Sequence, residues 1–170
     1  MAVEQHKQNA PHAVRCMVVT ISDTRTKETD KSGRLMIEKL TAKDHQVNNY
    51  LIVKDEISTI RDAVQQGIMD EQIDVVLTNG GTGIAKRDVT IETVTSMFDK
   101  EIPGFGELFR MLSYTEDIGS AALLSRATAG VARRTAVFST PGSSGAVKLA
   151  MDSLVLPEIT HVVREVQKDY

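Results

Sequence analysis

Ile73-Asp74-Val75-Val76-Leu77-Thr78-Asn79-Gly80-Gly81-Thr82-Gly83-Ile84-Ala85-Lys86-Arg87-Asp88-Val89-Thr90 is the stretch on which the reading of this chain turns. It opens as a short apolar run rich in β-branched residues, the composition of a strand buried on both faces. Three glycines within four residues follow. Lacking Cβ, glycine lets backbone N–H groups approach an anion closely and take φ > 0, so such a loop after a buried strand can wrap phosphate. Arg87 and Asp88 then set a fixed positive charge beside a carboxylate. From Thr90 the residues Ile91, Val94, Met97 and Phe98 share one face of a predicted helix. The succession places a polar site at the carboxyl end of a parallel strand, where open α/β sheets bind ligands.

The glycine spacing is not the G-x-G-x-x-G of dinucleotide folds, and no Gly-Lys-Ser/Thr of a P-loop follows it. Two readings stand on these residues alone. One is a phosphate or nucleotide site. The other is a tight turn whose glycines only satisfy geometry, with Asp88 capping the next helix.

Upstream, Val14 to Ile21 reads as a buried first strand that ends in the polar run Ser22-Asp23-Thr24-Arg25. A charged loop from Thr26 to Lys31 leads to a helix capped by Asp30 or Ser32, with Met36, Ile37 and Leu40 facing inward. Val47 to Lys54 is a second strand, closed by Asp55-Glu56. Ile57, Ile60, Val64 and Ile68 then mark an amphipathic crossover helix. Strand and helix alternate up to the glycine loop, so the sheet is expected to be parallel with right-handed crossovers. Ser22 and Asp23 either solvate a strand end or line the same crevice as the glycines. Asp55 is either a helix-start carboxylate or part of that crevice.

Downstream, Ile102-Pro103-Gly104-Phe105-Gly106 breaks the chain before a helix with Phe105, Leu108, Phe109 and Leu112 on one stripe. That stripe reads as core, part of which can meet a neighbouring subunit in an oligomer. Ser120 to Arg126 is a short helical piece. Ala127–Ala132 and Thr135–Thr140 read as a strand pair, an antiparallel hairpin at one sheet edge. Thr140-Pro141-Gly142-Ser143-Ser144-Gly145 is a second turn-rich loop before a helix, either a second anion site or plain turn-and-cap chemistry. Val147, Ala150, Met151 and Leu154 face the core, Pro157 breaks or kinks the helix, and Ile159, Val162, Val163 and Val166 form the last one. The expected fold is therefore α/β, three layers (α/β/α) around a mostly parallel sheet. Residues 1–13 are polar and read as a disordered arm, with 14–170 as a single domain.

The 170 residues suffice for one ordinary domain, with 41% hydrophobic and 25% charged residues. A net charge of −3 without a basic stripe, and no Trp, argue against a nucleic-acid partner. The single cysteine, Cys16, sits in an apolar run and reads as a buried small hydrophobe. The four histidines show no metal-ligand spacing. No apolar run approaches the roughly 20 residues of a membrane span and no signal core is apparent, so a cytoplasmic protein is expected.

Thr78-Asn79-Gly80-Gly81-Thr82-Gly83 with Arg87-Asp88-Val89-Thr90-Ile91-Glu92 closely resembles the signature of the MoaB/MogA family of molybdenum cofactor biosynthesis proteins. The fold of that family recurs in the molybdopterin-binding domains of gephyrin and MoeA. Ile21-Ser22-Asp23-Thr24-Arg25, Ser125-Arg126-Ala127 and Thr140-Pro141-Gly142-Ser143 extend the likeness from about Val14 to the C-terminus. The run from Pro141 to Lys148 is more similar to the MoaB branch than to MogA. Two positions depart from the pattern: Asn79 stands where threonine is frequent, and Lys54 where MogA-type sequences often have proline.

The resemblance implies a MoaB/MogA-like molybdopterin-binding fold and two substrates, molybdopterin and ATP. The implied reaction is attack of the terminal phosphate of molybdopterin on the α-phosphorus of MgATP, giving adenylyl-molybdopterin and pyrophosphate. Asp55 and Asp88 match the functional carboxylates of the family, as catalytic residues and as ligands of Mg²⁺. A divalent cation is the economical way to bring carboxylates among phosphates. Gly80, Gly81, Thr82 and Gly83 would hold nucleotide or pterin phosphate, Ser120, Ser125 and Ser143 molybdopterin, with Ser22, Pro141 and Gly142 completing the binding set. A homotrimer or homohexamer is implied, with hand-over of product to a molybdate-inserting enzyme. The alternative is a non-catalytic molybdopterin-binding paralogue or scaffold. A molybdate-inserting enzyme of the MoeA type needs further domains that 170 residues do not accommodate.

Overall fold

In β1 (Arg15–Ile21) the side chains of Cys16 and Val18 pack to one side of the sheet, and those of Met17, Val19 and Ile21 to the other. That period of two, with both faces apolar, requires a helical layer on each side. A computed structural model of the protein describes residues 10–170, so most of the arm expected over residues 1–13 lies outside the described residues. The chain runs β1, α1 (Lys31–Thr41), β2 (Gln46–Val53), α2 (Ile57–Met69), β3 (Val75–Asn79) and α3 (Thr90–Thr95). It continues through β4 (Lys100–Glu101), α4 (Pro103–Glu116), a 3₁₀ turn (Gly119–Leu124), β5 (Thr128–Ala132) and β6 (Thr135–Thr140). A last helical run comprises α5 (Ser144–Ala150), a π turn (Met151–Val155) and α6 (Leu156–Gln167).

The strands form one six-stranded sheet in the order β2-β1-β3-β6-β5-β4. Its centre is parallel, as β1 pairs with β2 and β3, and β3 with β6; β5 is antiparallel to β6, and β4 to β5. The three-layer α/β/α architecture read from the sequence is thus present. The β5–β6 hairpin forms as expected, but the edge beyond it is the two-residue β4, too short to carry a periodic signal.

On one face Met36 and Leu40 of α1, Phe105 and Phe109 of α4, and Val147, Met151, Ile159 and Val163 of the last helical run close over the sheet. On the other face lie Ile60, Val64 and Ile68 of α2 and Val94 of α3. Each fully buried Leu, Ile, Met or Phe contributes about 1.5–3 kcal/mol of transfer free energy. Within the expected stripe of α4 the two phenylalanines are core, whereas Leu108 is 47% exposed.

Three details differ from the sequence reading. Helix α3 ends at Thr95, so Met97 and Phe98 reach the core from the turn behind it. Pro157 does not break the last helix: it lies in the first turn of α6, directly after the π turn. The wider π turn accommodates a residue that cannot donate a backbone hydrogen bond. Asp88 does not cap α3; the cap position is Val89, without a side-chain hydrogen bond.

The topology sets the site. After β1 the chain leaves to α1 on one face, and after the neighbouring strand β3 it leaves to α3 on the opposite face. Adjacent strands whose connections diverge in this way open a crevice at their carboxyl ends.

Candidate functional site

A cleft of about 530 Å³ occupies that crevice. Its walls include Ser22 and Arg25 after β1, Gly80–Gly83 and Asp88 after β3, and Pro141–Ser143 after β6. Phe109, Ile118 and Leu124 supply an apolar side, with Asp117 and Ser125 beside them.

The glycine loop is clasped against its neighbours. Gly80 has φ +102°, and a Cβ there would stand 2.2 Å from the carbonyl oxygen of Ile21 on the adjacent strand. Gly81 has φ +65°, and its Cβ would stand 2.2 Å from Thr90 Oγ1 and 3.0 Å from Asp55 Oδ1. Side chains at either position would be strained and would displace the loop. Arg126 holds the far side: its Nε donates to the Thr82 carbonyl at 3.1 Å, and one terminal nitrogen to the carbonyls of Gly83 at 2.5 Å and Asp88 at 3.2 Å. Its other terminal nitrogen pairs with Glu92. Arg126 thereby ties the carbonyls of Thr82, Gly83 and Asp88 together.

Asp88 lines the cleft, and its Oδ2 accepts the Ala85 N–H at 3.0 Å. Asp55 lies behind Gly81 rather than on the cleft wall proper, with its backbone N–H on Asp23 Oδ1 at 3.2 Å. Burial pushes the Asp55 carboxyl above its ordinary value; a backbone bond from Val89 opposes this, the charges of Asp88 and Asp23 add to it, and Arg87 offsets part. Asp55 Oδ1 and Thr90 Oγ1 are both buried without a hydrogen-bond partner among the described residues. Both oxygens border Gly81, and a buried oxygen left without a bond is costly in a folded protein.

The other residues expected at the site divide clearly. Ser22, Ser125, Pro141, Gly142 and Ser143 all line the cleft. Ser125 Oγ is buried and has no hydrogen-bond partner among the described residues. Ser143 caps α5, its Oγ accepting from Ala146 N–H at 3.1 Å. Ser22 Oγ is taken up by the N–H groups of Thr24 and Arg25. Ser120 is solvent-exposed on the 3₁₀ turn and is not among the cleft walls.

Arg87, the cation next to the glycine loop in sequence, pairs with Asp23 and is largely exposed. The basic side chain in the cleft wall is Arg25 instead. Arg25, Asp117, Thr90 and Arg126 were not among the site residues expected from the sequence. Arg25 and Arg126 belong to recognised motifs, yet only the fold shows what each touches. Asp117 follows no motif at all.

An open α/β sheet with a glycine loop, a second turn-rich loop and two carboxylates at one switch point defines a protein of the open-sheet α/β class with a ligand crevice at its carboxyl edge. The chain belongs to the molybdopterin-binding domain family: a family model described as "Probable molybdopterin binding domain" matches residues 17–161. It is 67% identical over 169 residues to molybdenum cofactor biosynthesis protein B of Bacillus subtilis (strain 168), covering 99% of each chain. A crystal structure of a molybdenum cofactor biosynthesis protein B is similar with a TM-score of 0.91 and 61% identity, over 94% of this chain and 99% of the other. The tungsten cofactor synthesizing protein MoaB from Pyrococcus furiosus is similar with a TM-score of 0.84 and 40% identity, over 93% and 99%.

Proposed function

We propose that this protein acts in molybdenum cofactor biosynthesis as a molybdopterin adenylyltransferase. The observation that carries the proposal is that two carboxylates border the Gly80–Gly83 loop, Asp55 at Gly81 and Asp88 at Gly83, with Asp55 Oδ1 orphaned among the described residues. An oxygen of the terminal phosphate of molybdopterin attacks the α-phosphorus of ATP. A P–O bond forms there, the bond from the α-phosphorus to the bridging oxygen breaks, and pyrophosphate leaves with the electron pair. A phosphate monoester is already largely dianionic at pH 7, so no side chain has to remove a proton. The work left to the protein is alignment and charge neutralisation.

In this reading the backbone of Gly80–Gly83 and the loop Pro141–Ser143 hold the two phosphate-bearing groups, and Arg126 keeps the first loop in shape. Ser125 and the apolar side formed by Phe109, Ile118 and Leu124 receive the pterin. Among the described residues no group of three or more His, Cys, Asp or Glu side chains is arranged to hold a metal. The Asp55 Oδ1 left without a partner among the described residues and the Asp88 carboxylate in the cleft wall would hold a Mg²⁺ ion shared with substrate phosphates. When bound, Mg²⁺ neutralises charge on the phosphates.

Incubation of the purified protein with molybdopterin and MgATP should release pyrophosphate only when both are present. Tight molybdopterin binding with no pyrophosphate would return the protein to a binding role. Exposed Leu108, Met111, Tyr114 and Leu123 support a homo-oligomer, trimer or hexamer, checked by sedimentation at micromolar concentration. Adenylyl-molybdopterin would pass to a molybdate-inserting enzyme.

A further inference from the structure

Behind the cleft lies a carboxylate that does more than a helix cap requires. Asp30 is fully buried, and as the N-cap of α1 it accepts the Gly33 N–H at 3.0 Å. It also accepts the Tyr50 hydroxyl at 2.6 Å and a terminal nitrogen of Arg25 at 3.5 Å. The Thr20 hydroxyl is a further donor to it, and itself accepts Asn79 Nδ2 at 2.9 Å, from the residue that leads into the glycine loop. Burial alone would raise this carboxyl, but the bonds from Thr20, Tyr50 and Gly33 and the charge of Arg25 hold it below its ordinary value. It is therefore an anion kept ionised inside the protein, facing Arg25.

The other terminal nitrogen of Arg25 donates to the Gly142 carbonyl at 2.8 Å, which also takes Ser32 Oγ at 2.6 Å. The guanidinium is thus fixed at two points, one in the core and one in the loop after β6. A guanidinium carries five N–H donors in a rigid fork. Arg25 also stands in the cleft wall, where it is the one basic side chain among the described residues and Asp88 and Asp117 are the acids.

We propose that Arg25 grips a phosphoryl group of the ligand between the two loops, and that Asp30 is the positioning residue that fixes its guanidinium there. The inference rests on the reading of this cleft as a site for phosphate-bearing ligands, but not on turnover. A planar fork held at two points suits a phosphoryl group in a way a lysine ammonium does not.

The phosphoryl group can come from the nucleotide or from the pterin, so titration calorimetry would compare AMP with adenosine, and molybdopterin with its dephosphorylated form. Arg25→Ala should weaken one phosphate-bearing ligand about 10–100-fold while its phosphate-free counterpart binds variant and wild type alike. Arg25→Lys should recover only part of the loss. Asp30→Asn, which retains a cap acceptor, should give a smaller loss of the same phosphate-selective kind; Tyr50→Phe removes one Asp30 donor and serves if Asp30→Asn does not fold. Equal losses for ligands with and without phosphate, or none in Arg25→Ala, would overturn the grip. Unchanged phosphate affinity in a folded Asp30→Asn, or in Tyr50→Phe where that serves instead, would overturn the positioning role. Phosphate-selective binding without pyrophosphate release would sink the adenylyltransferase reading and leave this one standing.

Discussion

Replacing Asp88 by asparagine separates its chemical role from its structural one, because the structural role is small. Oδ2 accepts one N–H, from Ala85 at 3.0 Å, in a solvent-exposed turn. The carboxamide oxygen of asparagine can accept the same bond, so stability should change by less than about 1 kcal/mol. For a domain of this length that is a shift in Tm of about 2–4 °C at most. The lost charge matters elsewhere: removing one preorganised electrostatic group from a polar-transfer site slows the step by roughly 10²–10³-fold, or about 2.7–4 kcal/mol. Single-turnover adenylyl transfer at saturating MgATP, set beside thermal unfolding of both proteins, measures the two effects independently. Affinity for molybdopterin should survive, since neutral donors such as Ser125 and the loop backbone meet it in the proposed mode. A stable Asp88→Asn protein with wild-type turnover would refute the reasoning and reduce Asp88 to a turn residue.

Gly80→Ala should cost about 1–3 kcal/mol from its backbone conformation alone, plus the clash with the Ile21 carbonyl, read as a lowered denaturant midpoint; an unchanged midpoint would mean that the loop is not clasped against β1. The raised carboxyl of Asp55 favours the folded state at pH below the ordinary aspartate value, and that contribution is lost as pH rises through its folded pKa. Asp55→Asn should therefore raise Tm relative to wild type at neutral pH, with the gain shrinking on acidification through that window. A gain that grew on acidification would contradict the assignment. Burial pushes the Cys16 thiol up to about 12, so the native protein should resist alkylation at pH 8 and react once unfolded. Stoichiometric labelling of the native state would place Cys16 outside the core.

The layers of this protein were legible in the chain because strand and helix periodicities are local. Two-faced apolar runs in β1 and β3, the spacing of Ile60, Val64 and Ile68, and the punctuation of Gly80–Gly83 and Pro141–Gly142 each depend on neighbours within a few residues. Motif order then pointed to Asp55, Asp88 and both loops. Features without periodicity were not legible: the two-residue β4, the early end of α3, and the π turn that spares the helix at Pro157.

What only the tertiary structure decided is which charges meet. Arg87 adjoins the glycine loop in sequence, yet the convergence of the β1, β2 and β3 ends gives it to Asp23, while Arg25, far off in the chain, enters the cleft. Asp30 reads as a plain cap from its local context, and becomes the buried root of that arginine because Thr20 of β1 and Tyr50 of β2 meet it there. Asp55 has an ordinary sequence context, and its carboxyl is raised because folding buries it behind Gly81 near Asp88 and Asp23. Burial and Coulomb interaction depend on distance in space, and a loop's distance in space from another loop is set by the strand order of the sheet, which no local pattern encodes.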